Sequence, residues 1–341
     1  MELNKMYQGD ALSILRTFPD DSIDCFITSP PYWGLRDYNT DGQIGLETTF
    51  QEYINNLCNI FDEVRRTLKK EETCWVNIGD VYSGGDGSNH NGSSGSVKQK
   101  KGINTERNIQ LNHILPDKCL CQIPSRFAVE MTNRGWILRN EIIWYKPNAM
   151  PSSAIDRFTV DFEKIFFFTK SKKYYFEQQL EPYTSPVNRW SGELTKGYKG
   201  KFTGTDGEKF GSPRARNTRL GANTGENNKP PYKNNNPHLI RINYPERERS
   251  LRPTEEGKNK RCIWAINTKP YQNAHFATFP EQLIAPMIKA GCPENGIVCD
   301  PFGGAGTTGL VAKKFCRNYI LIELNPVYII MAEDRINEIL L

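Results

Sequence analysis

Thr28-Ser29-Pro30-Pro31-Tyr32 brings together the groups in this chain best suited to chemistry. Ser29 offers a hydroxyl acceptor, Pro30 and Pro31 offer carbonyls without an N–H of their own to compete, and Tyr32 offers an aromatic face. Such a set suits holding a flat base by its exocyclic amino group. The run before it, Ile23-Asp24-Cys25-Phe26-Ile27-Thr28, is short, apolar and β-prone, the pattern of a buried strand. Two successive prolines cannot extend a central strand, since neither has an N–H for the ladder and both have φ fixed. The strand must therefore stop and leave a stiff loop at its carboxyl end, which is where ligands bind in an open α/β sheet.

A second constellation lies near the other end. Gly296-Ile297-Val298-Cys299-Asp300 reads as a buried strand, and Pro301-Phe302-Gly303-Gly304-Ala305-Gly306-Thr307-Thr308-Gly309 as a glycine-rich turn into a helix. Tyr319-Ile320-Leu321-Ile322-Glu323 makes the next strand, with an acid placed to accept from ribose hydroxyls. Gly304, Gly306 and Gly309 satisfy G-x-G-x-x-G literally, the pattern of a dinucleotide site. Three features favour S-adenosylmethionine instead. Asp300 puts a carboxylate near the methionyl end of a cationic ligand, no lysine completes a Walker-type phosphate loop, and the chain ends at Leu341, too soon to supply the rest of a sheet. Strands from the amino-terminal part must complete that sheet, so the cofactor half comes last and the catalytic half first, in a circularly permuted α/β domain.

The intervening chain supplies the scaffold. Apolar spacing predicts helices over 49–68, 123–131 and 281–290, and strands over 73–80, 136–144 and 163–169. The expected division is a catalytic half at 1–182, a target-recognition insert at 183–262 and a cofactor half at 263–341. Residues 83–113 lack periodicity and read as a flexible loop, whose Lys98, Lys100 and Lys101 suit a phosphate backbone. The insert carries eight lysines and nine arginines against eight acids, whereas the whole chain of 341 residues nets only +5. So concentrated a charge is expected of a polyanion-binding segment on a near-neutral body, with Arg214, Arg216 and Arg219 as candidate DNA contacts. No run approaches the roughly 18 apolar residues of a membrane span. Met1-Glu2-Leu3-Asn4-Lys5 lacks a signal-peptide core, and nine irregularly spaced cysteines do not form a disulfide framework, so a cytoplasmic protein with reduced thiols is expected. Cys119, Cys121 and His113 are not at zinc-knuckle spacing, and no metal is expected.

The chain resembles the β-class of DNA amino-methyltransferases, whose order is catalytic motif, target-recognition region and cofactor region. Here Thr28-Ser29-Pro30-Pro31-Tyr32, the basic insert, 275–283 and 300–308 fall in that order, and the likeness spans nearly everything but 83–113 and most of 183–262. The resemblance implies a permuted Rossmann-like methyltransferase fold that uses S-adenosylmethionine. It places Thr28, Asp300, Phe302, Gly304, Gly306, Thr307 and Thr308 around the cofactor, Glu323 on its ribose and Asp10 near its adenine. Phe276, Phe279 and Pro280 would cover the methionine end. Ser29, Pro30, Pro31 and Tyr32 would be catalytic, and a serine at the head of the motif favours N4 of cytosine over N6 of adenine, which stays the alternative. Double-stranded DNA is the implied partner, with a cognate restriction endonuclease and a monomeric or homodimeric state. C5-cytosine methylation needs a Pro-Cys nucleophile, and this chain has no such dipeptide. Release-factor methyltransferases carry Asn-Pro-Pro-Tyr after their glycine motif, so residue and order both count against them. A nicotinamide-dependent oxidoreductase and an inactive DNA-binding homologue are the remaining alternatives.

Overall fold

The computed structural model describes residues 1–38, 40–83, 115–182, 258–269 and 280–338. The chain divides into two compact units, Met1–Gln179 with Lys260–Leu341, and Leu180–Asn259.

The first unit is built on an eight-stranded sheet. Its strands are β1 (Lys5–Gln8), β2 (Ile23–Thr28), β3 (Leu68–Ile78), β4 (Ile137–Tyr145), β5 (Phe162–Thr169), β8 (Ile263–Ala265), β9 (Ile297–Asp300) and β10 (Asn318–Glu323). They lie in the order β1-β10-β9-β2-β3-β5-β4-β8, and β5 alone runs antiparallel to its neighbours. The second unit shows a short hairpin of β6 (Leu180–Glu181) and β7 (Lys258–Asn259).

Both faces of the sheet are buried, which is why its central strands read as continuous apolar runs rather than alternating ones. Phe26, Cys74, Val76, Phe166, Phe168, Cys299, Ile320 and Ile322 face one layer, formed by α1 (Ala11–Leu15), α2 (Phe50–Thr67) and α3 (Ile123–Asn133). Their sequence neighbours Cys25, Ile27, Trp75, Ile165, Phe167, Val298 and Leu321 face the other, formed by α4 (Glu281–Gly291), α5 (Thr307–Lys314) and α6 (Pro326–Asn337). Trp75 stacks on Phe167 with ring centroids 4.1 Å apart, joining β3 to β5 across the second face. Helix α2 begins with a capping box, in which Thr49 accepts from the Glu52 amide and Glu52 from the Thr49 amide, and it ends on Arg65 and Arg66.

The two ends of the polypeptide meet at the centre. β9 pairs with β2 (Cys25 opposite Val298, Phe26 opposite Cys299) and β10 with β1 (Gln8 opposite Glu323). This is the permuted arrangement expected from the order of the two motifs. β1 has no sequence signal, because an edge strand of four residues with one buried side chain shows no periodicity.

Three acids differ in fate at the amino ends of the strands. Asp24 accepts from Lys69 Nζ at 2.6 Å and from the Ile297 amide at 2.9 Å. Glu71 lies at the surface and pairs with Lys173 Nζ at 3.1 Å. Glu72 has a buried Oε2 with no partner among the described residues, and burial first, then the Asp24 charge, pushes its carboxyl up to about 7. Protons therefore leave the unfolded chain before the folded one as pH rises, so stability falls between the ordinary value of 4.5 and about 7. Glu72→Gln should remove that slope and add about 1–2 kcal/mol at pH 8 after solvent screening is allowed for. Urea unfolding of both proteins at pH 5 and pH 8 checks it; equal stabilities at pH 8 would remove Glu72 as the cause.

Candidate active site

Asp300 ends β9 beside the carboxyl end of β2, and it is only 1% exposed. Thr28 Oγ1 donates to its Oδ1 at 2.6 Å, Thr308 Oγ1 to its Oδ2 at 2.6 Å, and the Phe302 amide to Oδ1 at 3.0 Å. One carboxylate thus ties the last residue of β2 to the first turn of α5. Burial drives its carboxyl up to about 6, against the pull of those donors, and Glu323 raises it further.

Glu323, at the end of β10, accepts from the Gly304 amide at 2.9 Å and the Asn325 amide at 2.8 Å. Each oxygen keeps a lone pair, and burial raises this carboxyl too. Two acids at adjacent strand ends make this a place for a cation with hydroxyls to donate, and a costly one for a pyrophosphate. The chemistry of the acceptor set therefore fits a sulfonium nucleoside better than a dinucleotide.

The glycines of the loop mostly serve packing. Gly306 has φ +74, and a Cβ there would lie 2.7 Å from Ala332 Cβ; at Gly309 it would crowd Leu321 at 2.9 Å and Ile336 at 3.0 Å. The G-x-G-x-x-G pattern points to a nucleotide site, whereas contacts with α6 and β10 already require glycine at these two positions. Arg335 of α6 also holds the loop, donating to the Ala305 carbonyl at 3.1 Å and to Thr307 Oγ1 at 2.8 Å.

Across the junction, the proline loop is fixed from three sides. Pro30 is buried, and the Pro31 carbonyl accepts from the Tyr53 hydroxyl of α2 at 2.8 Å. The Tyr32 ring lies on the Gly79 backbone, where a Cβ would come within 2.4 Å of Cε2. Ser29 Oγ donates toward Asn77 Oδ1 at 3.4 Å and the Tyr32 oxygen at 3.5 Å. The Tyr32 hydroxyl donates to Glu163 Oε2 at 2.7 Å, and Glu163 Oε1 is paired with Lys146 Nζ.

A serine-headed proline loop joined through one carboxylate to a glycine loop is the arrangement a permuted methyltransferase needs. A family model described as DNA methylase matches residues 23–334. The chain belongs to this DNA methylase family. Its members take their methyl group from S-adenosylmethionine and modify DNA at N4 or N6 amino groups. The methylase is 36% identical over 342 residues to the Type II methyltransferase M.Cfr9I of Citrobacter freundii, spanning 98% of this chain and 89% of that one. The structure of PvuII DNA methyltransferase, described as cytosine-N4-specific, matches with a TM-score of 0.56 at 18% identity, covering 97% of this chain and 85% of that one. A putative DNA modification methylase from Thermus thermophilus, complexed with S-adenosylmethionine, matches with a TM-score of 0.52 at 18% identity, over 98% and 93%. At such identities these two likenesses are of fold.

Among the residues singled out from sequence, the methylase brings Thr28, Ser29, Asp300, Phe302, Gly304, Thr308 and Glu323 to adjoining strand ends. Asp10 follows β1, beside β10, and caps α1 by accepting from the Ser13 amide at 2.8 Å. Pro280 is buried at the amino end of α4; the carboxyl end of that helix lies against Thr73 and Trp75. Phe276, Phe279, Lys98, Lys100, Lys101, Arg214, Arg216 and Arg219 lie outside the described residues. Sequence reading missed Asn77, Glu163, Lys146 and Tyr53. Asn77 sits two residues before Gly79 in the polar end of a predicted strand, a position that could have drawn notice; the others lie in apolar runs or beyond them with no motif. Among the described residues, no helix is long and apolar enough to cross a membrane.

Proposed function

We propose that the methylase transfers a methyl group from S-adenosylmethionine to the exocyclic N4 of cytosine in duplex DNA, as the modification partner of a restriction endonuclease. The observation that carries this reading is the placement of Ser29. Its Oγ lies 3.4 Å from Asn77 Oδ1 and 3.5 Å from the Tyr32 oxygen, so its one proton has an acceptor within the protein and its lone pairs are available to an amino group, while the neighbouring Thr28 bonds Asp300 of the glycine loop. The Type II names of the relatives and the cytosine-N4 description of the PvuII structure support it further.

An amino nitrogen on cytosine is a poor nucleophile because its lone pair is delocalised into the ring. Inside a duplex it is also out of reach, so the base must leave the stack at a cost of roughly a few kcal/mol. Tyr32 offers the flipped base a face to stack on. Ser29 Oγ and the Pro30 carbonyl accept the two amino protons, drawing the nitrogen toward tetrahedral geometry and freeing its lone pair. Asp300, Glu323 and the 303–308 loop hold the cofactor, which supplies an electrophilic sulfonium methyl when bound. The new C–N bond would form as the methyl–sulfur bond breaks to leave the neutral thioether, one amino proton would pass by way of Ser29 Oγ to water, and most of the acceleration comes from positioning. The basic insert, including Arg214, Arg216 and Arg219, is assigned to DNA, with most contacts to phosphate and few to base edges.

DNA from a methylation-free host expressing the chain, digested to nucleosides and sequenced for modified bases, should contain N4-methylcytosine at one recurrent site. N6-methyladenine in its place would move the assignment to adenine. Unmodified DNA from cells whose purified protein binds S-adenosylmethionine would overturn methyl transfer to DNA.

A further inference from the structure

Glu163 and Lys146 have no part in the reading above, yet they form a nearly buried ion pair directly behind the proline loop. Their side chains are 14% and 10% exposed. Lys146 follows β4 and Glu163 lies in β5, so the pair stands at the one antiparallel hairpin of the sheet. The Lys146 amide donates to the Asp161 carbonyl at 2.7 Å, and its ammonium lies 4.5 Å from the Trp144 ring centroid. Two charges removed from water this way cost more to maintain than well-packed apolar residues would. Some other benefit is needed to account for them.

The benefit lies in the direction of the hydrogen bonds. An ionised carboxylate only accepts, so the bond between Tyr32 and Glu163 Oε2 commits the single phenolic proton to Glu163. Lys146 occupies Oε1 and keeps the carboxylate charged and fixed in place. With its proton spent, the phenol oxygen can only accept from Ser29, as the Asn77 carbonyl oxygen does. The Ser29 proton then goes to Tyr32 or Asn77, and the Ser29 lone pairs are left for an incoming amino group. Without Glu163 the phenol proton is free to go to Asn77 Oδ1 at 3.3 Å, competing with Ser29 for that acceptor, or to Ser29 Oγ at 3.5 Å, which turns the serine proton outward against the amino group it must accept from.

We propose that Glu163, held by Lys146, is a positioning residue that fixes the Tyr32 ring and, through its hydroxyl, sets the hydrogen-bond polarity of Ser29. This rests on the assignment of Ser29 and Tyr32 to amino-group methylation. Burial, with Glu163 next, drives the Tyr32 phenol well above its usual range, so it stays a donor throughout the working pH range.

A double-mutant cycle in the full-length protein tests the coupling. Its arms are Tyr32→Phe, the pair Lys146→Met/Glu163→Leu, which leaves no orphaned charge, and all three together. Single-turnover methyl transfer should fall roughly ten- to hundredfold in each arm, with S-adenosylmethionine affinity within about twofold of wild type. The triple variant should be no slower than the slower arm, because all act through one hydroxyl. Lys146→Met/Glu163→Gln, which restores an acceptor to Tyr32, should recover most of the lost rate. Rate losses that multiply in the triple variant would overturn the proposal. So would a loss confined to folded fraction and melting temperature, with the rate per cofactor-binding site unchanged. If wild type transfers no methyl group to DNA while binding the cofactor, the underlying assignment of the loop has failed, and the positioning role fails with it.

Discussion

Ser29→Ala should bind S-adenosylmethionine about as tightly as wild type and transfer methyl groups at least about 100-fold more slowly, the scale of losing one preorganised polar contact to the reacting group. The separation follows from where the side chain sits. Ser29 Oγ touches Asn77 and Tyr32, whereas the carboxylate of the cofactor loop is held by the adjacent residue, Thr28. Removing the hydroxyl leaves the Thr28–Asp300 contact, the buried Pro30 and the Tyr53 bond to Pro31 in place. The variant loses one of two acceptors for the amino protons, and with it the means of drawing the nitrogen lone pair out of conjugation. Equilibrium titration with the cofactor and single-turnover assays on DNA measure the two quantities separately. Parallel losses in both would show that Ser29 supports the cofactor site instead, and would remove it from the reacting centre.

Much of the frame that makes this separation possible is legible in the sequence, for identifiable reasons. The 23–28 and 296–300 runs are continuous apolar stretches because each strand is covered on both faces, and the prolines and glycines after them end the strands unambiguously. Their adjacency is implied by the order of the motifs, catalytic first and cofactor last, and β9 does pair with β2 and β10 with β1. The network behind the proline loop is not legible. Tyr53 reads as one more apolar position on α2, and Glu163 as the polar start of a phenylalanine-rich strand. Tyr53 meets Pro31 only when α2 packs on the sheet, and Glu163 meets Tyr32, far away in sequence, only when β5 turns antiparallel beside β3. The glycine loop is legible in a different sense. Its pattern marks the right place, while the reason for two of its glycines is the approach of Leu321, Ala332 and Ile336 rather than of a ligand.

Asp300→Ala should be the most damaging single change at the opposite side of the junction. Thr28, Thr308 and the Phe302 amide would lose their shared acceptor inside a packed core, a cost of about 2–4 kcal/mol, and the loop carrying Gly304 and Thr307 would lose its tie to β2. Cofactor affinity should fall with it by about tenfold or more, given the loss of a buried charge facing a cation. Asp300→Asn isolates the charge, since an amide fills the same space, its oxygen can still accept from Thr28 and the Phe302 amide, and the Thr308 hydroxyl can rotate to accept from its NH2. The folded carboxyl titrates at about 6 and the unfolded one near the ordinary 3.8, so protons leave the unfolded chain first. The Asp300 contribution to the stability of the protein without cofactor should therefore fall as pH rises between those values and level off above about 6. Cofactor affinity should move the opposite way, rising over the same interval as Asp300 acquires the charge that attracts a sulfonium. Asp300→Asn should bind more weakly than wild type at pH 8 and converge with it at pH 5. A gap of equal size at both values would mean that the Asp300 charge does not face the cofactor, and that its work is confined to joining β2 to the glycine loop.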